Sequence, residues 1–152
     1  MAIRKIVQLG DDVLRKHSFD VDKVNEKIIA LLDDMKETLI KADGAGLAAV
    51  QVGVLKRIFI VNIENGYFEF INPVILSSTG SQLGAEGCLS IRGKYGEVKR
   101  PSTIVIKALD RNGKEFTITA KDFFARAICH EYDHLDGILY IDKATKIMEE
   151  KN

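Results

Sequence analysis

The chain has 152 residues, of which 46% are hydrophobic and 29% are charged, a composition that predicts one globular domain over residues 1–152 with a hydrophobic core. Lysine and arginine number 22, as do aspartate and glutamate, so no basic excess points to a nucleic acid or an anionic membrane as a partner. Two cysteines are too few for a disulfide framework, and the N-terminus lacks the apolar core of a signal peptide. We therefore expect a cytoplasmic protein.

The first predicted element is a helix over about residues 23–42. Asp20 and Asp22 are its candidate N-caps, and Gly44 lies just beyond its end. Five apolar residues recur within it at helical spacing: Ile28, Leu31, Leu32, Met35 and Leu39.

The middle of the chain is rich in β-branched and aromatic residues, which favours strands. Strands are predicted at residues 57–63, 68–71, 103–109 and 115–119. Asn112 and Gly113 tolerate positive φ and predict a hairpin between the last two. Because helices and strands do not alternate regularly, the pattern favours an α+β fold with mostly antiparallel sheets over a doubly wound sheet.

A second helix is predicted over about residues 121–136. Thr119 and Asp122 have the spacing of a capping box, and Gly137 is the candidate residue after the helix end. One side of this helix carries Phe123, Ala127, His130 with Glu131, and His134.

The sharpest local motif is HEYDH at residues 130–134. Two histidines four residues apart on a helix lie about 5–6 Å apart at Cβ, so His130 and His134 can converge on one metal ion. Glu131 stands beside them, where it can take a proton from an attacking water molecule. The alternative is a solvated helix that carries these letters by chance.

A catalytic metal site of this type needs a third protein ligand and one open position. Tyr140 stands where a third histidine would follow in one common pattern, and the short tail after His134 leaves little room for a further ligand helix. Cys88 is a better upstream candidate than His17, because a thiolate binds borderline divalent metals strongly. A small buried hydrophobe remains the alternative for Cys88 and is the preferred interpretation for Cys129.

The segment GAGLAAVQ at residues 44–51 exposes backbone groups beside two glycines. Gln51 ends the segment with an amide that can donate hydrogen bonds, as an oxyanion hole requires. The glycines lack the spacing of a nucleotide-binding loop, and a tight connection from helix to strand is the structural alternative.

Together these segments resemble the peptide deformylase family, which shows the motifs GxGLAAxQ, EGCLS and HExDH in this order. The chain has GAGLAAVQ at 44–51, EGCLS at 86–90 and HEYDH at 130–134, and the resemblance covers nearly the whole chain. Val50 stands where many members have proline, and Tyr132 where histidine or methionine is common. Neither position supplies a ligand or a hydrogen-bond donor.

The resemblance implies a metal-dependent hydrolase that removes the N-formyl group from the N-terminal methionine of new polypeptides and releases formate. It implies antiparallel sheets packed around a central HExxH helix, and an ion pair between Glu86 and Arg100 that fixes the Cys88 loop. The implied metal ligands are Cys88, His130 and His134.

The remaining roles that the resemblance implies concern proton transfer, the oxyanion and the substrate. Glu131 acts as general base and then as general acid, while Gln51 and the backbone N–H of Leu89 stabilise the oxyanion. The Gly46 backbone pairs with an extended substrate. From their place on the ligand face of the helix, Phe123 and Ala127 are candidates for the apolar wall around the methionine side chain.

The metal implied by the resemblance is Fe²⁺, with Ni²⁺, Co²⁺ or Zn²⁺ as alternatives. The implied partners are N-formylmethionyl nascent peptides near the ribosome, without direct nucleic-acid or membrane binding. Two other functions remain open. A metallopeptidase that cuts internal bonds would need a cleft open at both ends, and a non-catalytic binding protein would need neither Glu131 nor Gln51.

Overall fold

The structure is a computed structural model that describes residues 2–150. Its elements, in chain order, are α1 (Glu26–Ala42), β1 (Gly46–Ala48), β2 (Ile58–Ile63), β3 (Gly66–Thr79), β4 (Gln82–Cys88), β5 (Ile91–Arg100), β6 (Thr103–Leu109), β7 (Glu115–Lys121), α2 (Asp122–His134), α3 (Tyr140–Lys143) and β8 (Lys146–Glu149). Short 3₁₀ turns lie at Asp12–Arg15 and Ala49–Val52. None of the helices in this part of the chain is both long and apolar enough to cross a membrane.

The strands form two antiparallel sheets, which confirms the predicted α+β class. One sheet has five strands in the order β1-β2-β3-β6-β7, and the other has three in the order β4-β5-β8. Helix α2, which carries HEYDH, contacts β1, β2, β6 and β7 of the first sheet and β5 of the second. The helix therefore lies where both sheets can deliver residues to it.

The alternation of side chains along β2 explains why both faces of the larger sheet are covered. Ile58 and Ile60 belong to the apolar cluster formed with α1, whereas Phe59 and Val61 belong to the cluster formed with α2. All four are fully buried. A third cluster, which includes Leu14, Val98 and Tyr140, lies beneath the smaller sheet.

The structure corrects the predicted capping residues at the starts of both helices. The N-cap of α1 is Asn25, whose side chain accepts a hydrogen bond from the Ile28 N–H at 3.1 Å, so the candidates Asp20 and Asp22 were wrong. Before α2, Thr119 is paired within β7 and cannot form a capping box. Asp122 instead has φ 54°, and its N–H donates to the Ser102 carbonyl at 2.8 Å.

The strand predictions were right where the side chains alternate and incomplete elsewhere. Residues 103–109 form β6 as predicted, and 68–71 is part of the longer β3. The glycine-rich stretch around Cys88 forms the hairpin of β4 and β5, which the sequence did not reveal. The polar tail near Glu149 adds β8 to the edge of β5.

Gly137, the predicted residue after the second helix, has φ 73° and donates from its N–H to the His134 carbonyl at 3.2 Å. A Cβ at this position would meet the backbone carbonyl of Arg15. The N-terminal segment therefore packs against the end of α2 at a point where only glycine fits.

Replacement of Gly137 by alanine is expected to lower the free energy of unfolding by about 3 kcal/mol, because a left-handed backbone and a clash with main-chain atoms add together. Gly113→Ala is the matched control. Gly113 has φ 77°, and nothing lies within 4 Å of an added Cβ, so this variant should lose about 1 kcal/mol. Urea unfolding measures both, and equal losses would contradict the contact with Arg15.

Candidate metal centre and active site

The three predicted metal ligands lie together. Cys88 ends β4, while His130 and His134 stand one turn apart on α2. One ligand atom from each residue lies within 4.8 Å of the others, and the Cys88 Sγ is 3.5 Å from the His134 Nε2. A thiol and two imidazoles therefore face one common point.

This donor set fits one divalent metal ion. A catalytic site uses three protein ligands and leaves one position open, and thiolate with imidazole suits borderline metals. The Nδ1 of His130 is 2.8 Å from a Glu86 oxygen, which leaves the Nε2 of His130 for the metal. Burial lowers the pKa of His134 well below its ordinary value, so this ring is neutral and able to bind.

Glu86 organises the hydrogen-bond network next to His130. Arg100 donates to both Glu86 oxygens at 2.8 and 2.9 Å, so the predicted Glu86–Arg100 ion pair is confirmed. Burial raises the pKa of Glu86, but hydrogen bonds from Arg100 and His130 outweigh this effect and bring the pKa to about 2. Glu86 is therefore a carboxylate that holds His130 in one orientation.

Sequence reasoning missed two further members of this network on α2. The Arg126 Nη1 donates to Glu86 at 2.6 Å, and Asp133 accepts from Arg100 at 2.7 Å. They lie four residues before and three residues after His130, so their helical spacing was the available signal.

Glu131 is buried beside the ligands, with one carboxylate oxygen 4.0 Å from the His134 Nε2. A Cβ on Gly46 would lie 2.6 Å from the other oxygen, so the backbone of β1 approaches this carboxylate as closely as it can. Burial raises the pKa of Glu131 to about 7, although the charge of His130 works against the rise. A carboxylate with such a pKa can both accept and return a proton near neutral pH.

The Gln51 amide is oriented by its neighbours. Its Oε1 accepts from the Ala48 N–H at 2.9 Å, which turns the NH₂ group toward the thiol. The Nε2 donates to the Ser90 Oγ at 3.1 Å and is 3.6 Å from the Cys88 Sγ. Gln51 therefore presents donors at the candidate metal position.

A cavity of about 480 Å³ opens beside this cluster. It is lined by eight of the nine predicted site residues: Gly46, Gln51, Cys88, Leu89, Phe123, Ala127, His130 and Glu131. His134 lies behind them and is not part of the lining. Ala127 is buried, whereas the Phe123 side chain is 54% exposed and stands at the cavity mouth.

The other cysteine faces the protein interior. Cys129 is buried in the apolar cluster between α2 and the larger sheet, as predicted, and burial raises the pKa of its thiol to about 11. Tyr140, also fully buried, stacks on the His130 ring with 6.0 Å between ring centres. Neither residue belongs to the candidate ligand set.

Three convergent candidate ligands, a carboxylate on the same helix and amide donors beside an open cavity form the arrangement typical of a metal-dependent hydrolase. Comparison with known proteins narrows this class. The profile of the family described as polypeptide deformylase matches residues 3–150. The chain belongs to that family of metalloenzymes, whose members hydrolyse the N-formyl group of polypeptides. The predicted family and reaction are confirmed.

The similarity extends over nearly the whole of several relatives. A peptide deformylase of Thermoanaerobacter pseudethanolicus is 50% identical over 151 residues, which are 99% of this chain and 95% of the relative. A peptide deformylase of Clostridium botulinum is 53% identical over 146 residues, covering 96% and 99% of the two chains. The crystal structure of the Thermotoga maritima peptide deformylase has a TM-score of 0.93 at 36% identity. The match covers 95% of this chain and 99% of the Thermotoga maritima chain.

The Glu86→Gln variant is expected to bind a divalent metal more weakly and to unfold more easily, by about 3 kcal/mol, because buried Arg126 would lose its carboxylate partner and buried Arg100 would keep only Asp133. Glu69→Gln is the matched control. Glu69 accepts from Arg111, which is partly exposed and can be hydrated, so about 1 kcal/mol should be lost and metal affinity kept. Calorimetric titration measures the metal affinity of each variant, and urea unfolding measures its stability. An unchanged metal affinity in Glu86→Gln would refute the role of Glu86 in supporting the metal site.

Proposed function

We propose that this chain releases formate from N-formylmethionyl polypeptides with one divalent metal ion held by Cys88, His130 and His134. The observation that carries the proposal is the convergence of these side chains within 4.8 Å beside a buried Glu131 and an open cavity. When bound, the metal polarises the formyl carbonyl and lowers the pKa of an attacking water molecule.

Fe²⁺ is the metal that we propose, with Ni²⁺, Co²⁺ and Zn²⁺ as ions that one thiolate and two imidazoles also accept. We place the reaction in the cytoplasm, on nascent peptides close to the ribosome. The balance of acidic and basic residues supports no direct binding to nucleic acid.

Glu131 moves the proton in this mechanism. As a carboxylate it takes a proton from the attacking water, and as a carboxylic acid it returns the proton to the leaving amine. The close approach of Gly46 supports this role, because it leaves the Glu131 carboxylate a single place beside the cavity. Proton transfer of this kind contributes about 10²–10⁴-fold to a rate.

Gln51 and the backbone N–H of Leu89 stabilise the oxyanion of the tetrahedral intermediate. The Gln51 carbonyl is already bonded to Ala48, so the amide does not have to reorient during the reaction. Leu89 follows Cys88 directly and lines the same cavity. One preorganised donor of this type is worth about 3–4 kcal/mol in other hydrolases.

The substrate binds as an extended chain between two sheet edges. β1 and β4 are edge strands, and Gly46 of β1 and Gly87 of β4 line the cavity. Strand β4 ends at the candidate ligand Cys88, so a peptide with its formyl group there lies antiparallel to β4 and pairs with the Gly46 backbone. Ala127 and Phe123 then form the apolar wall beside the methionine side chain.

The Glu131→Ala variant should retain one metal ion per chain and lose at least about 1,000-fold in kcat, because all three ligands stay while the base is removed. Formate release from a formyl-Met peptide and elemental analysis measure the two quantities. Glu115→Ala, a change at an exposed carboxylate on β7, is the control and should match the unaltered chain. A metal-loaded Glu131→Ala protein with substantial turnover would remove Glu131 from this role.

Air exposure is expected to inactivate the iron-loaded protein through oxidation of Cys88, while the nickel-loaded protein survives far longer. A metal-bound thiolate is the oxidisable form of cysteine, and ferrous iron reacts with oxygen where nickel(II) does not. Buried Cys129, with its raised thiol pKa, should stay reduced and serves as the internal control. Peptide mass mapping after timed exposure decides this, and oxidation at Cys129 with Cys88 intact would contradict it.

A further inference from the structure

Arg126 is a buried cation that takes no part in the proposed mechanism. It lies one helical turn before His130, and its side chain is 6% exposed. Its Nη1 donates to the Glu86 Oε2 at 2.6 Å and to the Val98 carbonyl at 3.0 Å. Among the ion pairs of residues 2–150, Glu86 is the only carboxylate that Arg126 contacts.

Glu86 is already well supplied with donors without Arg126. Arg100 binds both of its oxygens, and His130 binds one of them. A carboxylate has about four acceptor positions, so the bond from Arg126 fills the last one. The position of Glu86 is therefore held mainly by Arg100, and Arg126 adds chiefly its charge.

With His130 neutral as a metal ligand, the charges of the fully buried side chains balance only when Arg126 is counted. Glu86 and Asp133 are negative, and Arg100, which bonds to both, is positive. Lys143 reaches Asp133 at 3.0 Å from a partly exposed position. Without Arg126, the buried side chains of Glu86, Asp133 and Arg100 would together carry one excess negative charge. Glu86 would transmit this charge to the candidate metal through its hydrogen bond with His130.

We propose that Arg126 is a positioning residue that acts on the metal through Glu86 and limits the negative charge that Glu86 directs at His130. This inference rests on the proposed function, because it assumes the metal site at Cys88, His130 and His134. A carboxylate that accepts a hydrogen bond from a ligating histidine makes that histidine a stronger electron donor. Arg126 opposes this effect and keeps the bound metal a strong Lewis acid.

Loss of Arg126 is expected to change metal affinity and catalytic rate in opposite directions. Loss of the Arg126 charge should strengthen metal binding, because the site becomes more negative and His130 becomes a better donor. It should weaken catalysis, since a metal that receives more charge from its ligands polarises the substrate less. If Arg126 served packing alone, its removal would loosen the site and lower metal affinity together with activity.

Two substitutions separate the charge of Arg126 from its hydrogen bonds. Arg126→Gln removes the charge and keeps an amide donor, while Arg126→Lys keeps the charge. Arg111→Gln is the control, because Arg111 also pairs with carboxylates, Glu69 and Asp33, but belongs to a separate network. Circular dichroism establishes that each variant is folded before it is compared.

The measurements are Co²⁺ affinity by chelator competition, the visible spectrum of the Co²⁺-loaded protein, and kcat. For Arg126→Gln we expect about tenfold tighter Co²⁺ binding, ligand-field and thiolate charge-transfer bands at shorter wavelength, and about tenfold lower kcat. Arg126→Lys and Arg111→Gln should match the unaltered chain. Weaker Co²⁺ binding by Arg126→Gln, or the same affinity and spectrum in the Gln and Lys variants, would overturn the proposal.

The same Co²⁺ titration distinguishes a failure of the role proposed for Arg126 from a failure of the proposed function. The unaltered chain should bind one Co²⁺ with a thiolate charge-transfer band that Cys88→Ser abolishes. If that band never appears, the assigned metal site fails. If the band appears and Arg126 does not affect it, only the role of Arg126 fails.

Discussion

The buried carboxylate of Glu86 is the interaction on which the rest of the site depends. It stands on β4 of the smaller sheet, accepts hydrogen bonds from Arg100 of β5, and reaches Arg126 and His130 of α2. A charge in the protein interior is costly unless it is paired and fully hydrogen-bonded, and here every acceptor position is used. The network therefore joins the smaller sheet to the helix and sets the direction of a candidate metal ligand, His130, at the same time.

The second constraint is the close approach of the backbone in and just before β1 to the side chains of Glu131 and Leu89. The larger sheet lies between two helices, so its edge strand β1 can come against α2 only if the residues there are small. Gly46 meets the Glu131 carboxylate, and Gly44 meets the Leu89 side chain, with added Cβ contacts of 2.6 and 2.8 Å. The glycines of GAGLAAVQ are thus explained by packing against the side chains of Glu131 and Leu89, while the Gln51 amide donates to Ser90 and lies near Cys88.

The sequence was informative where the chemistry is local and silent where it depends on distant partners. The spacing of His130 and His134 on one helix indicated a metal site, and the chain brings Cys88 to the same point. The strands around Cys88 were missed because glycines and charged residues hide their alternation on a small, half-exposed sheet. Helical spacing places Arg126 one turn before His130, but its contact with Glu86 was not predictable, since that partner lies 40 residues away.

The most direct test of this account is X-ray absorption at the metal edge of the zinc-loaded protein, prepared with one ion per chain. We expect one sulfur at about 2.3 Å and two imidazole nitrogens at about 2.0–2.1 Å, with the remaining position held by a light atom. The sulfur should vanish in Cys88→Ser and persist in a Cys129→Ser control. A first shell without sulfur, or one whose sulfur survives the loss of Cys88, would contradict the assignment of the metal centre.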